Sequence, residues 1–195
     1  MGVAIRMPLP RRFTLDEYLV IERKAATKSE FYQGAILAMA GGLPDHGLIA
    51  SNINGALWNG LAGGPCRVYS SDVRVAVAGG DASFYPDVSV ICGELQLFGR
   101  HRDVAANPKL VVEVLSKSTG RYDRLVKVPA YQQTASITDI LLVTQERDRV
   151  EHISRYDKTS KWKSTVYNDL ADVIEQPSIH CKLALSDIYL NVRRT

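Results

Sequence analysis

Glu113 lies inside Leu110-Val111-Val112-Glu113-Val114-Leu115, a run otherwise apolar at every position, as in strands covered on both faces. An unpaired carboxylate there is costly, so it must find a partner, keep its proton or bind a cation. Three outcomes stay open: a buried ion pair with a basic side chain, a raised pKa, or a metal ion. Asp87 is the second residue of this kind. It follows Pro86 and precedes Val88-Ser89-Val90, pointing away from the valine face. A Pro-Asp dipeptide alone marks a turn. With Glu113 on a neighbouring strand, however, the two carboxylates can hold Mg²⁺, which takes oxygen ligands and commonly only one or two from protein carboxylates. Lys127 stands four residues after Asp123, the spacing of a helical ion pair. Glu30 and His46 are weaker candidates. Glu30 reads equally as a strand-end charge, and His46, titrating near neutrality, equally as a helix cap or the filling of a polar pocket.

The elements that must position these residues follow from patterning. Thr14-Leu15-Asp16-Glu17 is a capping box and predicts a helix from Leu15 to about Arg23. Glu30-Phe31-Tyr32 and Ala35 to Met39 flank Gln33-Gly34, a hairpin signal. Leu48, Ile49, Ile53, Ala56, Leu57 and Leu61 share one helical face, and Gly63-Gly64-Pro65 ends that helix. Alternation predicts strands at Val73–Val77 and Val88–Val90, while Gly99 to Pro108 reads as a loop. Leu110–Leu115 and Ile140–Val143 are the two central strands. Between them a helix runs from about Arg121 to Gln133, kinked or divided by Pro129. Polar edge strands are expected near Val150–Tyr156 and Trp162–Tyr167, with a short terminal element after Leu183. The chain divides into a basic lead-in, residues 1–12, and one mixed α/β domain, residues 13–195.

Tyr85-Pro86-Asp87-Val88, Pro108 to Ser116, Tyr122-Asp123 and Lys127 together resemble the Uma-type restriction endonuclease family of the PD-(D/E)XK nuclease superfamily. The resemblance extends over nearly the whole chain, including Thr14–Tyr18, Glu30 to Met39 around Gly34, and His46. It implies a restriction-endonuclease-like fold, with a central mixed sheet flanked by helices and antiparallel edge strands. It also implies metal-dependent cleavage of nucleic acid. The superfamily pattern carries a lysine two residues after the acidic position, where this chain has Leu115. The resemblance therefore assigns that role to a lysine on the following helix, Lys127.

Composition agrees with an ordinary folded domain. The chain has 195 residues, 46% hydrophobic and 23% charged, close to globular averages, which excludes disorder, a collagen-like repeat and a disulfide scaffold. The net charge of +3 is too small to identify a nucleic-acid binder by itself. Cys66, Cys92 and Cys181 are far apart with no C-x-x-C spacing, so they read as free thiols in a reducing cytoplasm. No apolar stretch reaches the roughly 20 residues of a membrane span, and the N-terminus lacks the apolar core of a secretory signal. Ser160-Lys161-Trp162-Lys163 matches S-x-x-K without the companion motifs of that nucleophile. The basic residues between Arg147 and Lys163 interleave with Glu146, Asp148, Glu151 and Asp157 and read as a solvated hairpin.

The expected activity is hydrolysis of DNA phosphodiester bonds. Asp87 and Glu113 would hold Mg²⁺ (Mn²⁺ as a substitute), Lys127 would offset charge on the phosphate, and Arg100, Arg102, Lys117 and Arg121 would receive the backbone. The alternative is a non-catalytic nucleic-acid-binding or dimeric protein with a decayed site. Action on another phosphorylated substrate is a third reading. A homodimer is expected because exposed strand edges need covering.

Overall fold

The computed structural model describes residues 11–39, 41–156 and 161–193. Most of the expected lead-in, residues 1–10, lies outside the described residues, as does Ser160 of the S-x-x-K match. The capping box forms as expected: Thr14 Oγ accepts from the Glu17 N–H at 3.2 Å while Glu17 accepts from the Thr14 N–H at 2.8 Å. It opens α1, Leu15–Glu22. The hairpin β1 (Ser29–Tyr32) and β2 (Ala35–Ala38) turns at Gln33 and Gly34 with φ of 46° and 88°, a left-handed pair in which glycine carries the more extreme angle. Helix α2, Pro44–Leu61, buries Ile49, Ile53, Leu57 and Leu61, four residues apart on one stripe.

Strands β3 (Cys66–Ser70), β4 (Arg74–Val77), β5 (Ala82–Phe84), β6 (Val88–Cys92), β7 (Leu97–Phe98), β8 (His101–Ala105) and β9 (Leu110–Leu115) follow. A helical segment then runs through α3 (Gly120–Tyr122), a π-helical turn (Asp123–Lys127) and α4 (Val128–Gln132). After it come β10 (Asp139–Thr144), β11 (Val150–Tyr156), β12 (Lys161–Tyr167), β13 (Val173–Gln176), β14 (Cys181–Ala184) and α5 (Leu185–Ile188). Two mixed six-stranded sheets result, ordered β2-β1-β5-β4-β8-β7 and β12-β11-β10-β9-β6-β3, beside a β13–β14 hairpin.

β9 is the strand on which the layers converge. It pairs parallel with β10 and antiparallel with β6. Leu110, Val112 and Val114 pack with α2 and α5 in one core. Val111 and Leu115 face a second core that contains Val75 and Phe84 of the other sheet and Val128 and Tyr131 of α4. Each fully buried Leu or Val contributes about 1.5–3 kcal/mol. Period 2 puts Glu113 on the Val111–Leu115 face, and so into the layer between the two sheets.

Two expectations are corrected. The stretch read as a loop, Gly99 to Pro108, contains β8, which pairs parallel with β4 through Arg74↔Val104 and Val75↔Ala105. Its His-Arg-Asp opening conceals a strand that its pairing with β4 and β7 reveals. Cys66 and Cys92 are not free thiols. The antiparallel register of β3 and β6 sets them directly opposite, with Cα atoms 3.9 Å apart, and they are joined as a disulfide. Cys181 is the free, buried cysteine. Pro129 lies in the first turn of α4, where its missing N–H is tolerated, and one residue earlier the Val128 N–H reaches Asp123 O in a π-type bond, so the segment changes from π to α winding there. Among the described residues no helix is long and apolar enough to cross a membrane.

Candidate active site

Lys127, at the end of the π turn, projects its ammonium into the layer between the sheets and meets three carboxylates there. Its Nζ lies 2.9 Å from Glu30 Oε1, 3.2 Å from Glu113 Oε2 and 3.5 Å from Asp123 Oδ1, with side-chain exposures of 4–7% throughout. The rings of Phe84 and Tyr122 stand 5.7 and 5.8 Å away, within cation–π range. The Asp123–Lys127 contact is thus a buried one, not a solvated pair on a helix surface.

Each carboxylate is fixed by a different element. Glu30 comes from β1 and accepts the Tyr85 N–H at 3.1 Å, which ties the first sheet to the turn before Asp87. Glu113 comes from β9. Its Oε1 accepts from the Tyr131 hydroxyl at 2.5 Å, and its Oε2 from Lys127. Asp87 sits between β5 and β6. The β6–β9 register Val88↔Val112, continued by one residue, sets it across from Glu113, and its Oδ2 accepts the Val114 N–H at 2.7 Å. His46, in the first turn of α2, approaches that same oxygen with Nε2 at 3.4 Å. The site therefore gathers Glu30, Asp87, Glu113, Asp123, Lys127 and His46.

The electrostatics follow from burial and crowding. Burial pushes the Glu113 carboxyl well above the ordinary range; the Lys127 ammonium pulls against it, and Asp123, Asp87 and Glu30 push it further up. Asp123 is raised for the same first reason. For Lys127, burial alone would favour the neutral amine, but Glu113, Glu30 and Asp123 outweigh it and hold the ammonium charged, its pKa raised. The hydrogen bond to Asp87 raises the His46 imidazole, against its partial burial. Four carboxyl groups share one ammonium and one imidazole, an excess of acid over base that helps to raise Glu113 and Asp123.

That excess, built from hard oxygen donors, fits a divalent cation. Asp87 and Glu113 are the pair that would hold it, because the β6–β9 register sets them across from each other; Glu113, like Glu30 and Asp123, also contacts Lys127. Among the described residues no group of three or more His, Cys, Asp or Glu side chains is arranged to hold a metal ion. A site resting on one or two carboxylates matches Mg²⁺, which keeps several waters.

The four basic residues expected to border the site part into two groups. Lys117 and Arg121 are exposed just after β9. Arg100 pairs with Asp16 at 3.2 Å and with Arg102 lines a cleft of about 470 Å³ between α1 and β8, which Arg23, His101 and Asp103 complete. Tyr131 was not among the residues singled out from the sequence. Its only signal there is spacing, since Asp123, Lys127 and Tyr131 lie four residues apart along one helical segment.

Known proteins resemble the chain over most of its length. Two curated proteins of Synechocystis sp. match it: sll1609, 34% identical over 142 residues, covering 73% of this chain and 80% of its own length, and slr1290, 32% identical over 182 residues, 93% of each. Both are described only as uncharacterized. A crystal structure from Anabaena variabilis, described as "a putative nuclease belonging to DUF820", superimposes with a TM-score of 0.74 at 18% identity, covering 91% of this chain and 97% of that one; this likeness shows the fold. The model of the Uma2 family, described as "Putative restriction endonuclease", matches residues 15–189, and the chain belongs to that family.

Proposed function

We propose that the protein is a divalent-metal-dependent endonuclease hydrolysing phosphodiester bonds of DNA, with Asp87, Glu113 and Lys127 as its catalytic residues. Asp87 and Glu113 hold the ion, Mg²⁺ or in its place Mn²⁺. The observation that carries this reading is the Lys127 ammonium 3.2 Å from Glu113, in a chain whose residue two positions beyond Glu113 is Leu115. A lysine arriving from the helix supplies the charge that the strand does not.

When bound, the ion supplies Lewis acidity to the phosphoryl group and lowers the pKa of a water. The chain's own groups do the rest. The Val114 N–H fixes the Asp87 carboxylate at the strand end. The Tyr85 N–H fixes Glu30, and Glu30 in turn holds Lys127. A preorganised ammonium in a poorly hydrated layer stabilises charge developing on phosphate oxygens without reorganising. Lys117 and Arg121 flank this point and meet neighbouring phosphates of the backbone, contacts that position but do not specify.

One observation favours a second reading, a non-catalytic DNA-binding protein: Lys127 is already surrounded by carboxylates, as a purely structural ion cluster would be. Supercoiled plasmid incubated with Mg²⁺, Mn²⁺ or chelator separates the two. The proposal expects metal-dependent nicking or linearisation, lost in Asp87→Asn and in Glu113→Gln. Binding of DNA with no chelator-sensitive cleavage in any arm supports the second reading. We take the working form to be a cytoplasmic homodimer that covers exposed strand edges. A monomer alone in sedimentation at micromolar concentration contradicts the dimer. A Cys66–Cys92 bridge found intact in freshly alkylated cells contradicts a reducing compartment.

A further inference from the structure

We propose that Tyr131 is a positioning residue of this site: its hydroxyl sets the plane of the Glu113 carboxylate and so selects the oxygen presented toward Asp87. The inference rests on the reading of Glu113 as a ligand. The hydroxyl lies 2.5 Å from Glu113 Oε1, and Lys127 takes Oε2 at 3.2 Å. Two donors on different oxygens leave the carboxylate one orientation, where a single donor would let it rotate about its last bond.

The donor is itself fixed. Tyr131 is fully buried, and Phe84 packs edge-on against its ring, centroids 5.7 Å apart at 83°. The hydroxyl position is therefore set by core packing between α4 and the first sheet. Groups that orient a metal ligand through a hydrogen bond commonly affect metal affinity about 10–100-fold when removed. That range sets the expected effect here.

The test uses the full chain with Tyr131→Phe, which removes the hydroxyl and keeps the ring. The control is Tyr189→Phe, a buried tyrosine of the other core whose hydroxyl donates to Thr144 O at 3.0 Å. Mn²⁺ binding is followed by calorimetry, the Glu113 side-chain rotamer by NMR of the metal-free protein, and kcat and KM for DNA by cleavage. Tyr131→Phe is expected to weaken Mn²⁺ about tenfold or more and to lower kcat with KM for DNA unchanged. It should also leave Glu113 averaging over rotamers, and Tyr189→Phe should do none of this. An unchanged Glu113 rotamer and Mn²⁺ affinity in Tyr131→Phe overturns the proposal, as does the same loosening in Tyr189→Phe. If wild type binds no Mn²⁺ while the rotamer still loosens only in Tyr131→Phe, positioning by Tyr131 stands and the metal reading of Glu113 falls.

Discussion

Removing the Lys127 ammonium leaves Glu30, Glu113 and Asp123 facing one another, with side-chain exposures of 4–5%. Breaking a buried pair by deleting one partner costs about 3–5 kcal/mol, because the remaining charges are stranded. Lys127→Ala is therefore expected to lose about that much stability in urea unfolding. It should also lose about 10²–10³ in single-turnover cleavage rate. Excess Mn²⁺ is expected to restore part of the stability, since a cation replaces the missing charge, without restoring the rate. A loss of only a few tenths of a kcal/mol, the worth of an exposed i,i+4 pair, would contradict the buried cluster. Glu113 was legible in the sequence as a charge in an apolar strand, whereas Asp87 stood out only through its pairing with Glu113, and Lys127 only through the family resemblance. Tyr131 breaks no local pattern, since a buried tyrosine is ordinary core until the helix carrying it has been placed against β9.

At the scale of elements, the second sheet is tied to the segment after β13 by one buried carboxylate. Asp139 opens β10, and its Oδ1 meets His152 Nε2 of β11 at 2.7 Å. Its Oδ2 accepts from Thr138 Oγ at 2.8 Å and also from the Ser178 hydroxyl. Burial alone would raise this carboxyl, but the hydrogen bonds from His152, Ser178 and Thr138 outweigh it and hold the pKa below the usual value. A depressed folded-state pKa stabilises the fold above the unfolded value, about 3.9, and the contribution is lost as pH falls through the folded value. Wild type is thus expected to exceed Asp139→Asn in urea stability at pH 7, and the gap should shrink toward pH 3. An equal gap at both pH values would contradict the assignment. The elements themselves were unequally legible. α2, β9 and β10 announce themselves by an apolar stripe or an unbroken apolar run. β3, β8, β13 and β14 are short and carry charges such as Arg67, Arg102, Glu175 and Lys182, so only their pairing partners make them strands.

Across the whole molecule, the site exists because two sheets pack face to face. Glu30 comes from the first sheet and Glu113 from the second; Asp87 lies on the chain crossing between them, and Lys127 on the helix that closes the layer. No one sheet holds the constellation, so the sequence could supply the residues and their family resemblance but not their convergence on one ammonium. The Cys66–Cys92 bridge was hidden for a similar reason, being separated by 26 residues and joined only through the register of β3 with β6. Asp87 and Glu113 are proposed to form a cation site served by Lys127. The most direct test of that site is the anomalous-diffraction map of crystals soaked in Mn²⁺. A peak bonded to both Asp87 and Glu113 is expected in wild type, and none in Glu113→Gln. A wild-type map with no peak between these carboxylates, or a peak that survives in Glu113→Gln, would contradict the site.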